Sequence, residues 1–380
     1  MQITNESFEE ITEGKTKLMV PKKSLTEIVP PKEPAFFNPK ARLNRDFSII
    51  AYGAFLKKFK GPKIFLEGLS GIGARGLRVA KELEVEKVII NDLNPSALEI
   101  AKFSADLNGL KNIEFCEKEI CRFFSNYSKK GNRGSIVDID PFGSPAQFFD
   151  CGLRATMHGG ILSCTATDLQ VLNGLFQNAC KRKYGGIPIR TEYGNEIAIR
   201  LILGCLRSVS GRLGLDINPL YVESNMHYYR IYVKVYNRPD QKENLGYIIH
   251  CKSCGNRKLV KNQSETCEIC KSQNNIGGPL WVDKIFDKEF VDEMILKISE
   301  LSVDKKCEKS LRKCVSESEI PGVYYTLDEL ASKMKSSPPK LEKIIEKLKN
   351  KGFVASPTSF NPTGFRTDAN IKEITSMFSD

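Results

Sequence analysis

The sequence predicts an α/β fold: a doubly wound, largely parallel sheet with helices on both faces, followed by a smaller α+β module. Three observations carry this. Between residues 61 and 165, strand-length apolar runs alternate with helix-length amphipathic runs, the pattern of parallel βαβ units. A glycine-rich turn, "GLSGIGARG", joins the first of these strands to its helix. Past residue 246 the alternation stops and two Cys-x-x-Cys pairs begin.

Residues 8–20, "FEEITEGKTKLMV", read as a small β unit turning at Glu13-Gly14. "PKEPAFFNPK" (31–40) is a proline-punctuated loop. In "NRDFSIIAYGAFLKKF" (44–59), Phe47, Ile50, Ala51, Ala54 and Phe55 fall on one helical face. Strands follow at 63–69, 86–92, 112–118, 133–140 and 159–167, with helices at 74–83 and 94–110. The second of those helices has Pro95 in its first turn and Asn108-Gly109 at its end. A long helix at 192–213 leads into "DINPLYVESNMHYYRIYVKVYN" (216–237), two strands around a turn at Glu223–Asn225. A parallel sheet with such an antiparallel end strand fits a Rossmann-like, class I methyltransferase-type domain better than a plain dinucleotide fold. The C-terminal tail holds helices at 328–335 and 338–350, with Ser337 as N-cap and Pro338 at the first helical position. Two short helices and a hairpin-like end read as a winged-helix-like unit. The expected organisation is an N-terminal β unit and covering loop over 1–60, a catalytic domain over 61–240 and a cysteine-bearing domain over 241–380.

Composition narrows the function. Of the 380 residues, 41% are hydrophobic and 27% charged, ordinary for a soluble globular protein. No apolar run approaches the ~20 residues that cross a bilayer, and "MQITNESFEE" lacks a signal-peptide pattern. A cytoplasmic protein without membrane contact is expected. Eight of the twelve cysteines lie in apolar segments and read as buried small hydrophobes, with no disulfide framework. The net charge of +11 favours a polyanionic partner.

Gly71-x-Gly73-x-x-Gly76 lets the backbone turn tightly and approach a ligand closely. Asp92 ends the next strand, where a carboxylate can accept from both ribose hydroxyls of NAD, FAD or S-adenosylmethionine. Glu67, just before the loop, favours the cofactor with a cationic end and disfavours anionic pyrophosphate. None of the three histidines, His158, His227 and His250, stands in a catalytic setting.

Asp140 closes the fourth strand and faces the same crevice as the glycine loop. Pro141 stops the strand, Gly143 turns the chain, and Phe142 is held at the lip. Asp138 falls on the same side as Asp140. A carboxylate beside an aromatic ring suits methylation of an exocyclic amine. It accepts N–H, orients a nitrogen whose lone pair is delocalised, and relieves developing positive charge.

Cys251-x2-Cys254-x12-Cys267-x2-Cys270 gives four thiolates in two knuckles, the spacing of tetrahedral zinc. Four protein ligands leave no open position, so the zinc would be structural.

The chain resembles the archaeal and eukaryotic tRNA (guanine-26-N2)-dimethyltransferases. The matching stretches are "EITEGKTKLMVP", "FFNPKARLNRD", "FLEGLSGIGARGLR", "NDLNP", "DIDPFGSPAQFFD", "LSCTATD", "RTEYGNEIAIR", the cysteine module and "FNPTGFRTDA". The resemblance implies that Arg45, Arg75 and Asp92 bind S-adenosylmethionine, and that Asp140 is the catalytic carboxylate. It also implies that Phe142, with Phe36 or Phe37, holds the target guanine of tRNA. Where the family carries Asp-Ala against adenine, this chain has Glu119-Ile120. A monomeric or weakly associated enzyme is expected. The alternatives are a non-catalytic zinc-ribbon and winged-helix nucleic-acid-binding protein, and an NAD-dependent oxidoreductase.

Overall fold

The computed structural model describes residues 7–238 and 243–378. A hairpin of β1 (Phe8–Glu13) and β2 (Thr16–Pro21) leads through α1 (Lys22–Thr26) to the buried helix α2 (Arg42–Lys58). The alternating region contributes β3 (Ile64–Glu67), α3 (Ala74–Glu82), β4 (Lys87–Asn91), α4 (Pro95–Leu107), β5 (Ile113–Cys116), α5 (Ile120–Ser125), β6 (Gly134–Ile139), α6 (Phe149–Ala155) and β7 (Thr156–Ala166). Then come α7 (Leu169–Leu172), α8 (Gln177–Tyr184), α9 (Gly194–Arg212), β8 (Asp216–Asn225) and β9 (Tyr228–Tyr236). The seven strands order as β5-β4-β3-β6-β7-β9-β8. From β5 to β7 the pairings are parallel. β9 runs antiparallel to β7 and to β8, so the expected antiparallel strand is β9, covered by β8 as the outermost strand. The fold is the class I methyltransferase type.

β10 (Leu245–His250), β11 (Arg257–Val260) and β12 (Asn275–Trp281) form a three-stranded sheet carrying the cysteines, followed by α10 (Lys288–Ile298) and α11 (Lys306–Glu317). The last unit contains β13 (Tyr325–Thr326), α12 (Leu327–Met334), α13 (Leu341–Asn350), β14 (Ala355–Pro357), β15 (Gly364–Thr367) and α14 (Ile371–Ser376). Its sheet order is β13-β15-β14, the winged-helix-like arrangement expected. One apolar core runs from Phe8 to Tyr324 and includes Phe360. A second gathers Leu327, Leu330, Ile344, Leu348, Phe365 and Ile374.

Four details depart from the sequence reading. Helix α2 is buried all round from Asn44 to Leu56 rather than on one face, because α10 packs over its outer side. A Cβ on Gly53 would come within 2.9 Å of Lys297 Cε. The β8–β9 turn lies at Met226-His227, with Asn225 opposite Tyr228, not at Glu223–Asn225. Ser337 caps nothing: Pro339 biases Pro338 away from helical ψ, and α13 starts only at Leu341, with Lys340 in the cap position. Cys121 and Cys151 form a disulfide between α5 and α6, where buried thiols were expected. Of the remaining six outside the knuckles, Cys116 and Cys205 are half-buried and Cys164, Cys180, Cys307 and Cys314 fully buried.

Candidate active site

Parallel strands deliver their C-terminal residues to one edge of the sheet. Here Glu67 ends β3, Asp92 follows β4, Asp138 lies near the end of β6 and Asp140 follows it. Arg75, in the first turn of α3, gathers three of these carboxylates. Its Nη2 donates to Asp140 Oδ2, its Nε lies 3.0 Å from Asp138 Oδ2, and Glu67 Oε1 stands 4.0 Å away. Its Nη1 donates to Asn44 Oδ1 at 2.9 Å and to Ser48 Oγ, both on α2. Asp138 is wholly buried. Its Oδ1 accepts from Arg230 Nη2, from Tyr52 Oη at 2.8 Å and from Ser163 Oγ at 2.7 Å. Asp138 and Asp140 thus share one side of β6 and one guanidinium, but Asp138 is locked inside while the Asp140 side chain is 30% exposed.

The electrostatics follow from burial. Desolvation alone would raise the Asp138 pKa, yet Arg230 and Arg75 outweigh it and the pKa is lowered. Burial, and next the charge of Asp138, push Glu67 well above the usual carboxylate range, with Arg75 opposing. Glu67 Oε2 accepts the Gly76 amide at 3.1 Å.

The glycine turn adopts left-handed conformations at Gly71 (φ 53°) and Gly73 (φ 73°). A Cβ at Gly71 would sit 3.1 Å from the Phe36 carbonyl oxygen, so the covering loop lies directly on the turn. Asp92 holds the turn from the other side: Oδ2 accepts from the Gly71 amide at 2.6 Å and Oδ1 from the Asn94 amide at 2.9 Å. Asn94 Nδ2 in turn donates to the Pro34 carbonyl at 2.9 Å.

The Asp-Pro-Phe-Gly turn folds as its residue types require. Gly143 (φ 81°) donates to Thr167 Oγ1 at 2.7 Å, and Phe142 is left 64% exposed. Phe36 meets the Phe142 ring edge-on, centroids 4.8 Å apart, and Lys32 Nζ lies 5.4 Å from the Phe142 centroid. Phe37 is buried under the Arg45 guanidinium, so Phe36 is the phenylalanine at the lip.

Two residue sets stand apart from this cluster. Arg45 is committed to Glu13, donating from Nε at 2.7 Å and Nη2 at 2.5 Å, and to the Asn38 carbonyl at 3.1 Å. Glu119 caps α5, accepting from the Cys121 and Arg122 amides at 3.0 Å each, while Ile120 is buried.

The donor set fits a cationic cofactor. Three carboxyl groups, Glu67, Asp138 and Asp140, face two guanidiniums, Arg75 and Arg230, each already paired with an aspartate, so among the described residues the crevice offers no free cation for a pyrophosphate.

The family model for N2,N2-dimethylguanosine tRNA methyltransferases matches residues 14–379. The chain belongs to that family. Relatives named tRNA (guanine(26)-N(2))-dimethyltransferase include that of Methanosphaera stadtmanae, 33% identical over 97% of this chain and 96% of its own length. That of Methanosarcina barkeri is 34% identical over 97% of each. Among solved structures, Trm1 from Pyrococcus horikoshii in complex with S-adenosyl-L-methionine matches with a TM-score of 0.85 and 30% identity. The match covers 97% of this chain and 99% of that one.

The methyltransferase carries its four cysteines in two knuckles of matching build. The Gly255 amide donates to the Cys251 carbonyl at 2.8 Å, and the Lys271 amide to the Cys267 carbonyl at 3.0 Å. Both positions are left-handed, with φ of 84° at Gly255 and 63° at Lys271. The four sulfurs lie within 4.8 Å of one another, with Cys251–Cys270 at 3.4 Å and Cys254–Cys267 at 3.7 Å. A tetrahedron of Zn–S bonds of about 2.3 Å places sulfurs about 3.8 Å apart, so the set fits zinc. The knuckles are also tied to the last unit, since the Arg257 guanidinium lies 4.2 Å from the centroids of both Tyr193 and Tyr325.

Sequence reasoning missed the layer behind the site. Asn44, Ser48 and Tyr52 repeat every four residues as a polar stripe on the apolar helix α2. Arg230 is a lone arginine in the aromatic strand "YYRIYVKVY". Both signals were present in the sequence. Another buried set joins distant segments. Glu196 accepts from Arg200 Nη2 at 2.8 Å and from Arg366 Nη2 at 3.0 Å, and Arg366 Nε donates to Glu317 at 3.1 Å.

Proposed function

We propose that this methyltransferase carries methyl groups from S-adenosylmethionine to the exocyclic N2 of guanine 26 in tRNA, forming N2-methyl- and then N2,N2-dimethylguanosine. One observation carries the reading: a partly exposed carboxylate, Asp140, is anchored by Arg75 and is followed two residues later by the exposed Phe142 ring, against which Phe36 packs, at the same sheet edge as the glycine turn. When bound, S-adenosylmethionine supplies a methyl group on a cationic sulfur. Gly71, Gly73 and Asp92 would hold its nucleoside, with Glu119, Ile120 and Arg45 bordering it, and Glu67 and Arg75 would set the charge at its sulfonium end. Asp140 accepts an N–H of the guanine amine and orients its lone pair. Phe36 and Phe142 hold the base, a stacked ring contributing ~1–3 kcal/mol. Asp138 keeps Arg75 and Arg230 in place. Zinc bound by Cys251, Cys254, Cys267 and Cys270 stabilises the C-terminal lobe. Among the described residues no helix is long and apolar enough to cross a membrane; the proposed enzyme is cytoplasmic, and monomeric or weakly associated.

The test is incubation of an unmodified tRNA transcript with the protein and methyl-labelled S-adenosylmethionine, then nucleoside mass analysis. Guanosine bearing two added methyl groups is expected, and none from a transcript with adenine at position 26. Equal labelling of both transcripts refutes the assigned target.

A further inference from the structure

Helix α8 and the loops around it carry an uneven surface. From Leu169 to Arg190 the sequence contains Lys181, Arg182, Lys183 and Arg190 and not one aspartate or glutamate. All four cations are exposed, and so are Leu175, Phe176 and Ile187 among them. Lys183 reaches Asp168 at 3.1 Å. Arg182 and Lys183 share a cleft of about 190 Å³ with Arg212 and Ser208 of α9, and among the described residues no carboxylate lines it. Among the described residues, Arg182 and Arg212 have no ion-pair partner. A single exposed lysine is a solvated charge and needs no ligand. With Lys183 paired to Asp168, Arg182 and Arg212 remain as two uncompensated cations from two helices lining one concavity, and guanidinium groups suit a phosphate's oxygens.

The cleft is also tied to the catalytic crevice. Tyr184, at the end of α8, donates to Asp168 at 2.7 Å. Asp168 follows Thr167, whose hydroxyl accepts the Gly143 amide of the Asp-Pro-Phe-Gly turn. A polyanion held at α8 is therefore held against the element that presents Asp140.

We propose that the α8–α9 cleft grips phosphodiester oxygens of the substrate RNA, with Arg182 and Arg212 as its chief contacts. This rests on the reading of tRNA as substrate. The binding is independent of base sequence and positions the RNA rather than reading it.

The test compares the wild type with R182A/R212A and R182K/R212K in tRNA binding across a salt series. Removing two phosphate contacts is expected to weaken binding about tenfold near 0.15 M ionic strength and to reduce the slope of log K against log salt by about 2. The lysine variant keeps the charges and most of the slope. S-adenosylmethionine affinity and melting temperature stay at the wild-type values, and KM for tRNA rises while kcat holds. An unchanged slope and affinity in R182A/R212A overturns the proposal. So does millimolar inorganic phosphate that abolishes the arginine-dependent binding at constant ionic strength, which would mark a small-anion site. A wild-type protein that binds tRNA with this charge dependence yet transfers no methyl group would sink the activity and leave the cleft standing.

Discussion

Replacing Asp140 by alanine isolates the chemical step from the architecture around it. Among the described residues Asp140 has one side-chain partner, Arg75, and its own side chain is 30% exposed. Arg75 keeps Asn44 at 2.9 Å, Ser48, and Asp138 at 3.0 Å without it. The guanidinium therefore stays in place, and loss of a partly exposed pair costs about 1 kcal/mol or less. With Asp140 as the proposed acceptor, the transfer step should lose far more. A positioned proton acceptor contributes about 10²–10⁴-fold, which is about 3–5 kcal/mol at 1.36 kcal/mol per decade. Single-turnover transfer of labelled methyl to unmodified tRNA should fall by at least about a hundredfold, while S-adenosylmethionine affinity from calorimetry changes little. Asp140→Asn keeps an acceptor oxygen without the charge and should fall between the two. Turnover by Asp140→Ala within tenfold of wild type would refute the assignment of Asp140 as the acceptor.

Other outcomes can be checked on stability and metal content. Cys267→Ser should lower the zinc-to-protein ratio measured by plasma mass spectrometry and lower the melting temperature, because the second core packs against Cys254 and Ile269 beside the knuckles. Arg366→Met leaves Glu196 and Glu317 buried with fewer partners, and the urea midpoint should fall by an amount worth about 3–5 kcal/mol. Glu223 is buried, and desolvation pushes its pKa from the ordinary 4.5 up to about 8 against a hydrogen bond from Tyr228. The folded state thus binds a proton that the unfolded chain has released. Between those two values its contribution to stability falls as pH rises, by up to about 1.4 kcal/mol per unit. Glu223→Gln, which mimics the protonated form, should flatten the decline of the urea midpoint from pH 5 to 8; an unchanged slope counts against a buried neutral Glu223.

How much was legible in the sequence depends on the range of the forces involved. The β3–α3 turn, the strand-ending acids and the two knuckles are local. A left-handed glycine, a proline stop or a Cys-x-x-Cys pair acts within a few residues, so spacing alone places it. The burial of α2 on every side depends on α10, about 240 positions later in the chain, and no local pattern announces it. The same holds for Arg230, whose partner Asp138 is 92 residues away, and for Cys121–Cys151, which pairs only because α5 and α6 meet. The misplaced start of α13 had a local cause that was readable: Pro339 disfavours helix at Pro338.

The four-charge seam of Glu196, Arg200, Glu317 and Arg366 has a mechanical consequence. Swinging the C-terminal lobe away from α9 would part the buried pair Arg366–Glu196, at about 3–5 kcal/mol. It would also pull Arg257 off the Tyr193 ring, adding about 2 kcal/mol. At 1.4 kcal/mol per decade, fewer than about one molecule in a thousand stands ajar at any instant. The frame is rigid, so any bending needed to bring a stacked base within reach of the crevice falls to the nucleic acid.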